Sequence, residues 1–145
     1  MKRKVMLMVA SVLAIAVCWL LSISVDGSKD GISLQVTSST IIKRGTPQET
    51  TVVRIKNNTD ENISSDQNYY LSYHLLSASG AILVFDNIRT ELPEIKPKQV
   101  IDVVMKITTP NEVGEYILEV DLVEEDIKWL SDTGNPVAQG KLVVK

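Results

Sequence analysis

Gly114–Glu124 reads GEYILEVDLVE. Tyr116, Leu118, Val120 and Leu122 fall on every second position, with Glu115, Ile117, Glu119 and Asp121 between them. A helix turns every 3.6 residues and would scatter these four around its circumference, whereas a strand lines them up on one face. The stretch therefore predicts a strand with one face on a core and the other toward water.

The same period recurs outward from it in both directions. Ile101, Val103, Met105 and Ile107 alternate with Asp102, Val104 and Lys106. Leu71, Tyr73 and Leu75 alternate with Ser72 and His74, and Thr51, Val53 and Ile55 with Val52, Arg54 and Lys56. Ile32–Val36 alternates as well, Ala81–Phe85 is a short apolar run, and Leu142-Val143-Val144 closes the chain. Turn chemistry separates these segments: Gly45-Thr46-Pro47, the polar loop Asn57–Asn62, Ser77-Ala78-Ser79-Gly80 as a hairpin loop, Pro93 and Pro97, and Pro110–Gly114. About seven short strands at this spacing, with no helical period, predict an all-β fold, an antiparallel immunoglobulin-like β-sandwich. Tyr116, just after a loop at the start of the penultimate strand, suits the corner position in which a tyrosine hydroxyl ties back to loop backbone. The Cys…Trp…Cys spacing of antibody domains is absent.

Ahead of this domain, Val5–Val25 reads VMLMVASVLAIAVCWLLSISV, without a charge, directly after Lys2-Arg3-Lys4. As a helix it spans roughly 30 Å, the hydrocarbon thickness of a bilayer. The basic cluster favours the cytoplasm, which places the rest of the chain outside. The organisation expected is a cytoplasmic cap over 1–4, a transmembrane signal-anchor over 5–25, a polar linker over 26–31 (DGSKD followed by Gly31) and an extracytoplasmic sandwich over 32–145. Ser22-Ile23-Ser24 also fits a cleavage site, in which case the domain is secreted. The length of the run favours the anchor.

After Val25 the chain carries 12 basic and 18 acidic residues, a net charge of −6. That sign argues against nucleic acid or an anionic membrane surface as partner. Cys18 is the one cysteine of the chain and lies in the apolar run, so the exported part forms no disulfide within itself.

Catalytic chemistry has little to build on. His74 is the single histidine, placed mid-strand on the face opposite Leu71, Tyr73 and Leu75; such a residue is ordinarily solvent-facing or hydrogen-bonded. One histidine and no exported cysteine make no zinc site. There is no glycine-rich phosphate loop and no Gly-x-Ser-x-Gly elbow. Glu124-Glu125-Asp126 lacks the alternation of a calcium loop and reads as a solvated turn. The expectation is a protein that is not an enzyme, with no metal and no cofactor. Two sequences, Asn57-Asn58-Thr59 and Asn62-Ile63-Ser64, match the N-glycosylation pattern.

Candidate ligand-binding residues are Trp129, Arg89, Asp86, His74 and Asp121. Trp129, beyond the acidic run, either forms a platform for a sugar ring or a partner protein, or closes the end of the core together with Leu130. Asp86 and Arg89 either make a structural ion pair, for instance with Asp121 or Glu124 across the sheet, or line a shallow site in which the arginine fork takes a carboxylate or planar polar ligand.

Tyr73-His74, Gly80, Val84, Asp86, Arg89-Thr90 and Leu92-Pro93 form one string. Gly114-x-Tyr116-x-Leu118, Asp121–Glu124, Trp129, Ser131 and Gly134 form another. Together, over Tyr69 to Pro136, they resemble a small β-sandwich module of bacterial surface and envelope proteins, sometimes appended to glycosyltransferases and methyltransferases. The module is loosely similar to the carbohydrate-binding domain of O-antigen ABC transporters. Leu75 stands where that pattern often has tryptophan, Asn87 and Asp126 where it often has glycine, and Leu130 where it often has phenylalanine. The resemblance implies a fold and a surface setting, and the partner it suggests is an envelope glycan or an envelope protein. The function expected is a non-catalytic, membrane-anchored binding or scaffold domain. The alternatives are a structural subunit that docks by strand addition or through its span, and a secreted enzyme inhibitor acting through the loop Asn57–Asn68.

Overall fold

The computed structural model describes residues 31–145; the basic cap, the apolar run and the linker up to Asp30 lie outside the described residues. Ten strands follow in chain order: β1 (Ile32–Val36), β2 (Thr40–Ile42), β3 (Gln48–Asn57), β4 (Tyr69–Ser77), β5 (Ile82–Val84), β6 (Thr90–Glu91), β7 (Val100–Thr108), β8 (Gly114–Glu124), β9 (Lys128–Trp129) and β10 (Ala138–Val144). One sheet runs β1-β3-β7; the other runs β2-β10-β8-β4-β5, with β6 paired to β4 and β9 to β8. The inward faces of both sheets share one core.

The long strands are those whose alternation is plain in the sequence. Thr51, Val53 and Ile55 of β3 are buried against Val103, Met105 and Ile107 of β7, while Arg54, Lys56, Asp102 and Lys106 face out. From the other sheet Leu71, Tyr73 and Leu75 meet the same core with Leu118, Val120 and Leu122. Tyr73 is fully buried, and its hydroxyl oxygen accepts the Thr108 backbone N–H from the opposite sheet at 2.9 Å. Tyr116 takes the corner position, its hydroxyl donating to the Glu112 carbonyl at 2.8 Å. Gly80 takes a positive φ of 90° in the hairpin between β4 and β5, as its turn requires.

Two expectations need correction. The strand number is ten rather than about seven, because β2, β6 and β9 are only two or three residues long and carry too little pattern to register as strands. Nor is the pairing wholly antiparallel. After β1 has paired with β3, the chain crosses at Thr37-Ser38-Ser39 to the other sheet, where β2 lies parallel to β10. β2 meets in β10 a neighbour that runs in its own direction, and local alternation cannot report that.

β1 and β10 approach closely where the sheets meet. A Cβ built on Gly140 would lie 2.6 Å from Val36 Cγ1. Gly140→Ala is therefore expected to lower stability by about 1–3 kcal/mol through overpacking. The double variant Val36→Ala, Gly140→Ala should recover part of that loss. Urea melts of the two single variants and the double check it, and additive losses would refute the contact.

Candidate functional site

β4 and the second half of β8 are covered on both faces, unlike β3 and β7. The inward face is the core. On the outward face Ser72, His74, Asp121 and Val123 are also buried, with His74 only 4% exposed. Register explains which groups meet: Ser72 lies opposite Asp121 and His74 opposite Glu119, so His74 and Asp121 are diagonal neighbours on one face. Two segments form the cover. One runs from Phe85 to Arg89; the other is the turn from Glu125 through β9 to Ser131.

Hydrogen bonds fasten the first segment to β4. His74 Nδ1 donates to the Phe85 carbonyl. The Ser72 hydroxyl is shared between the Asn87 and Ile88 carbonyls at 3.2 and 3.0 Å. Asn87 Nδ2 donates to the Tyr73 carbonyl at 2.9 Å. Arg89 then joins the two segments. Its Nε donates to Glu125 at 2.6 Å, and its Nη1 to Asp86 at 2.6 Å and to the Asn87 carbonyl at 2.7 Å. The guanidinium also sits 5.2 Å from the Trp129 ring centre. The rings complete the cover: Phe85 stacks on His74 at 4.3 Å, and Trp129 lies tilted on His74 at 4.4 Å and edge-on to Phe85 at 5.7 Å.

Asp121 is fully buried. Its carboxylate accepts the backbone N–H of Leu122 at 2.7 Å and of Ser131 at 3.2 Å. Burial pushes this carboxyl above its ordinary value, with the two N–H donors and nearby His74 pulling the other way. Folded Asp121 therefore holds its proton more tightly than the unfolded chain does. Its contribution to stability is fully present below the unfolded value of about 3.9 and is lost as pH rises through the raised folded value. The stability of wild type minus that of Asp121→Asn should accordingly fall as pH rises above about 4 in urea titrations; a difference that rises with pH would contradict it.

All five candidate residues, Asp86, Arg89, His74, Asp121 and Trp129, thus fall in one cluster. His74 takes the hydrogen-bonded of its two expected settings, bonded to the Phe85 carbonyl, and is also the floor on which Phe85 and Trp129 rest. The details differ from expectation in two respects. Arg89 pairs with Asp86 and Glu125, not with Asp121 or Glu124, because the turn at Asp126, with φ 61°, brings Glu125 round to it while Asp121 is engaged beneath the sheet cover. Trp129 and Leu130 do not act together, since Leu130 packs against the core and Trp129 lies on the outer face. Sequence reasoning missed Phe85, Asn87 and Glu125. Phe85 ends an apolar run that reads as a half-buried strand, yet Ala81–Phe85 is exposed throughout. The other two act through side-chain and carbonyl bonds that leave no periodic trace.

Ser72, His74 and Asp121 are the residue types of a nucleophile, base and acid. Here their hydrogen bonds run to backbone groups rather than to one another, so the geometry of a relay is not assembled. Among the described residues no three acidic, histidine or cysteine side chains converge as a metal-holding group. What the cluster offers to a ligand is an aromatic shelf: Phe85 is 52% exposed, and Trp129 is half-buried beside it. Asp86 stands at its rim, largely exposed beyond its pair with Arg89. Arg89 turns its Nε and Nη1 donors inward, to Glu125, Asp86, Ser72 and the Asn87 carbonyl. A groove of about 810 Å³ lies elsewhere, between β1 and the residues leading into β10; there Arg54 is held by Asp102 and Lys98 donates to the Asn58 carbonyl.

No family model and no curated protein matches this sequence. Among solved structures the chain is similar to the CARDB domain of the PF1109 protein from Pyrococcus furiosus, crystallised in complex with di-metal ions. The identity is 15%, the match covers 79% of this chain and 87% of that one, and the TM-score is 0.50. The solution structure of the same domain matches at 14% identity over 78% and 93% of the two chains, with a TM-score of 0.49. The alkylpurine DNA glycosylase AlkC of Pseudomonas fluorescens, bound to DNA containing an abasic site analog, matches at 12% identity and a TM-score of 0.43 over 79% of this chain and 31% of that one. The likeness to the CARDB domain is one of fold: the chain carries a small immunoglobulin-like β-sandwich.

Proposed function

We propose that this protein is a non-catalytic binding or scaffold domain, held at the outer face of a membrane by residues 5–25, that meets an envelope glycan or envelope protein through the Phe85–Trp129 shelf. The observation that carries this reading is a half-exposed aromatic ring set on a buried, hydrogen-bonded floor. Rings fixed in that way lose little entropy on contact and present apolar area with a polar rim, which suits the face of a sugar ring or an aromatic-accepting protein surface. Asp86 at the rim adds an acceptor for hydroxyl or amide donors. The resemblance to envelope modules, and more loosely to the carbohydrate-binding domain of O-antigen transporters, is the reason for naming a glycan first. The engagement of Ser72, His74 and Asp121 with backbone supports a binding role over a catalytic one.

The test is a glycan array and an envelope pull-down with the full chain in nanodiscs. Wild type should retain a defined set of ligands. Phe85→Ala, Trp129→Ala should weaken binding roughly tenfold or more, the loss of a stacked aromatic pair, while Val104→Ala on the opposite sheet should leave it unchanged. Identical retention by the double variant and wild type would overturn the reading.

A further inference from the structure

The outward face of the three-stranded sheet is basic: it carries Arg54, Lys56 and Lys106 against the single acid Asp102. Register sets Ser33, Lys56 and Val100 in one row across that face, and Gln35, Arg54 and Asp102 in the next. Beside β1 the face deepens into the groove of about 810 Å³, whose far wall runs from Pro136 to Gln139. That volume lies within the range of ligand sites, roughly 300–1,000 Å³. Arg54, Lys56 and Lys98 line the groove and no acidic side chain does, although acids outnumber bases 18 to 12 after Val25. Asp102 engages Nε and Nη2 of Arg54 at 2.9 and 3.1 Å, which offsets that charge. Among the described residues Lys56 and Lys98 form no ion pair. Lys98 also takes a positive φ of 67°, and its Nζ donates to the Asn58 carbonyl at 3.0 Å. Glycine or asparagine serves such a turn better, so a lysine there points to a use beyond the turn itself.

We propose that this groove is a second ligand site and that it takes an anionic polyol, a glycan strand carrying carboxylate or phosphate groups. Charge selects the anion. The ammonium groups of Lys56 and Lys98 face a concave surface without a neighbouring carboxylate, where a field is focused, while the net negative chain elsewhere repels the same strand. The rest of the lining selects hydroxyls. Ser33, Gln35, Asn58 and Gln139 bring hydroxyl and amide groups, which both donate and accept as sugar hydroxyls do. The fork of Arg54 is taken by Asp102, so recognition falls to the two lysines as point charges, and these accept carboxylate and phosphate alike. No aromatic ring lines the groove, so affinity rests on charge and hydrogen bonds and should fall as salt rises. The groove shares no residue with the Phe85–Trp129 shelf, and either site can fail without the other.

The test is calorimetric titration of the full chain, in nanodiscs of zwitterionic lipid, with tetramers of galacturonate, glycerol phosphate, glucose and glutamate. At least one of the two anionic polyols should bind, more weakly at higher salt, and the one that binds identifies the anion. The double variant Lys56→Gln, Lys98→Asn should weaken that binding roughly tenfold or more, through the loss of two charged donors. Asparagine suits the left-handed turn, so this variant should melt with wild type. Lys43→Gln, Lys141→Gln removes the same net charge away from the groove and should leave binding unchanged. Failure of both anionic polyols to bind, equal binding of the glucose tetramer, tighter binding of the glutamate tetramer, or equal losses in the two double variants would each overturn the proposal.

Discussion

Asn57→Ala is expected to destabilise the domain by about 3 kcal/mol, a fall of about 10 °C or more in melting temperature. Asn57 ends β3 fully buried, and all of its amide valences are used. Nδ2 donates to the carbonyls of Glu61 at 2.7 Å and Ile95 at 2.9 Å, while Oδ1 accepts from the Thr59 backbone at 3.0 Å and the Thr59 hydroxyl at 2.7 Å. Alanine keeps none of these and leaves the Thr59 N–H stranded. Asn57→Asp separates the donors from the acceptor. It preserves the bonds from Thr59 but turns a carboxylate toward two carbonyl oxygens, which favours the protonated form in the folded state. That variant should be less stable than alanine at pH 7 and recover as pH falls, since the folded protein then binds a proton that the unfolded chain does not. Indistinguishable melts for the two variants at pH 7 and pH 4 would show that the amide is not the hub of this loop. The same geometry bears on the glycosylation pattern at Asn57-Asn58-Thr59: the nitrogen that would be modified is buried and bonded twice.

Arg89→Met is the second large effect, expected at about 2 kcal/mol. Methionine retains most of the apolar stem but removes every bond that ties Asp86, Asn87 and Glu125 together. Ser72 and Trp129 also lose a polar neighbour. Arg89→Lys should restore little, because a point donor cannot span Glu125 on one side and the Asn87 carbonyl on the other, as the planar fork does. The loss should be local before it is global. Amide exchange at Asn87 and Ile88 should quicken, and Trp129 emission, read in a Trp19→Phe background, should shift to the red as the cover loosens over His74. A stability loss with unchanged exchange in that segment would place the role of Arg89 outside the cover.

The strands that dominate the core were legible because burial on one side only writes a period of two into the chain. β3, β7 and the first half of β8 are of this kind, and their inward residues are those the alternation names. β4 and the end of β8 are not. There both faces are covered, and His74, Ser72 and Asp121, which alternation assigns to water, lie under a lid of loop residues. β5 fails in the opposite sense: its apolar run reads as half-buried, and the fold leaves it bare at an edge.

The site follows the same division. That Asp86, Arg89, His74, Asp121 and Trp129 deserve attention could be read from residue type and from the resemblance they carry. That they meet could not, since His74 and Trp129 are 55 positions apart in the chain and touch only because the chain turns back after β8 and pairs β9 with it, beside β4. The chain by itself determined the sandwich, its core face and its acidic, disulfide-free character, because those depend on local period and composition. The partner of Arg89, the burial of His74, the parallel pairing of β2 and the bare edge at β5 were decided by tertiary structure alone. Each depends on which distant segment arrives on a face, and no local pattern encodes that.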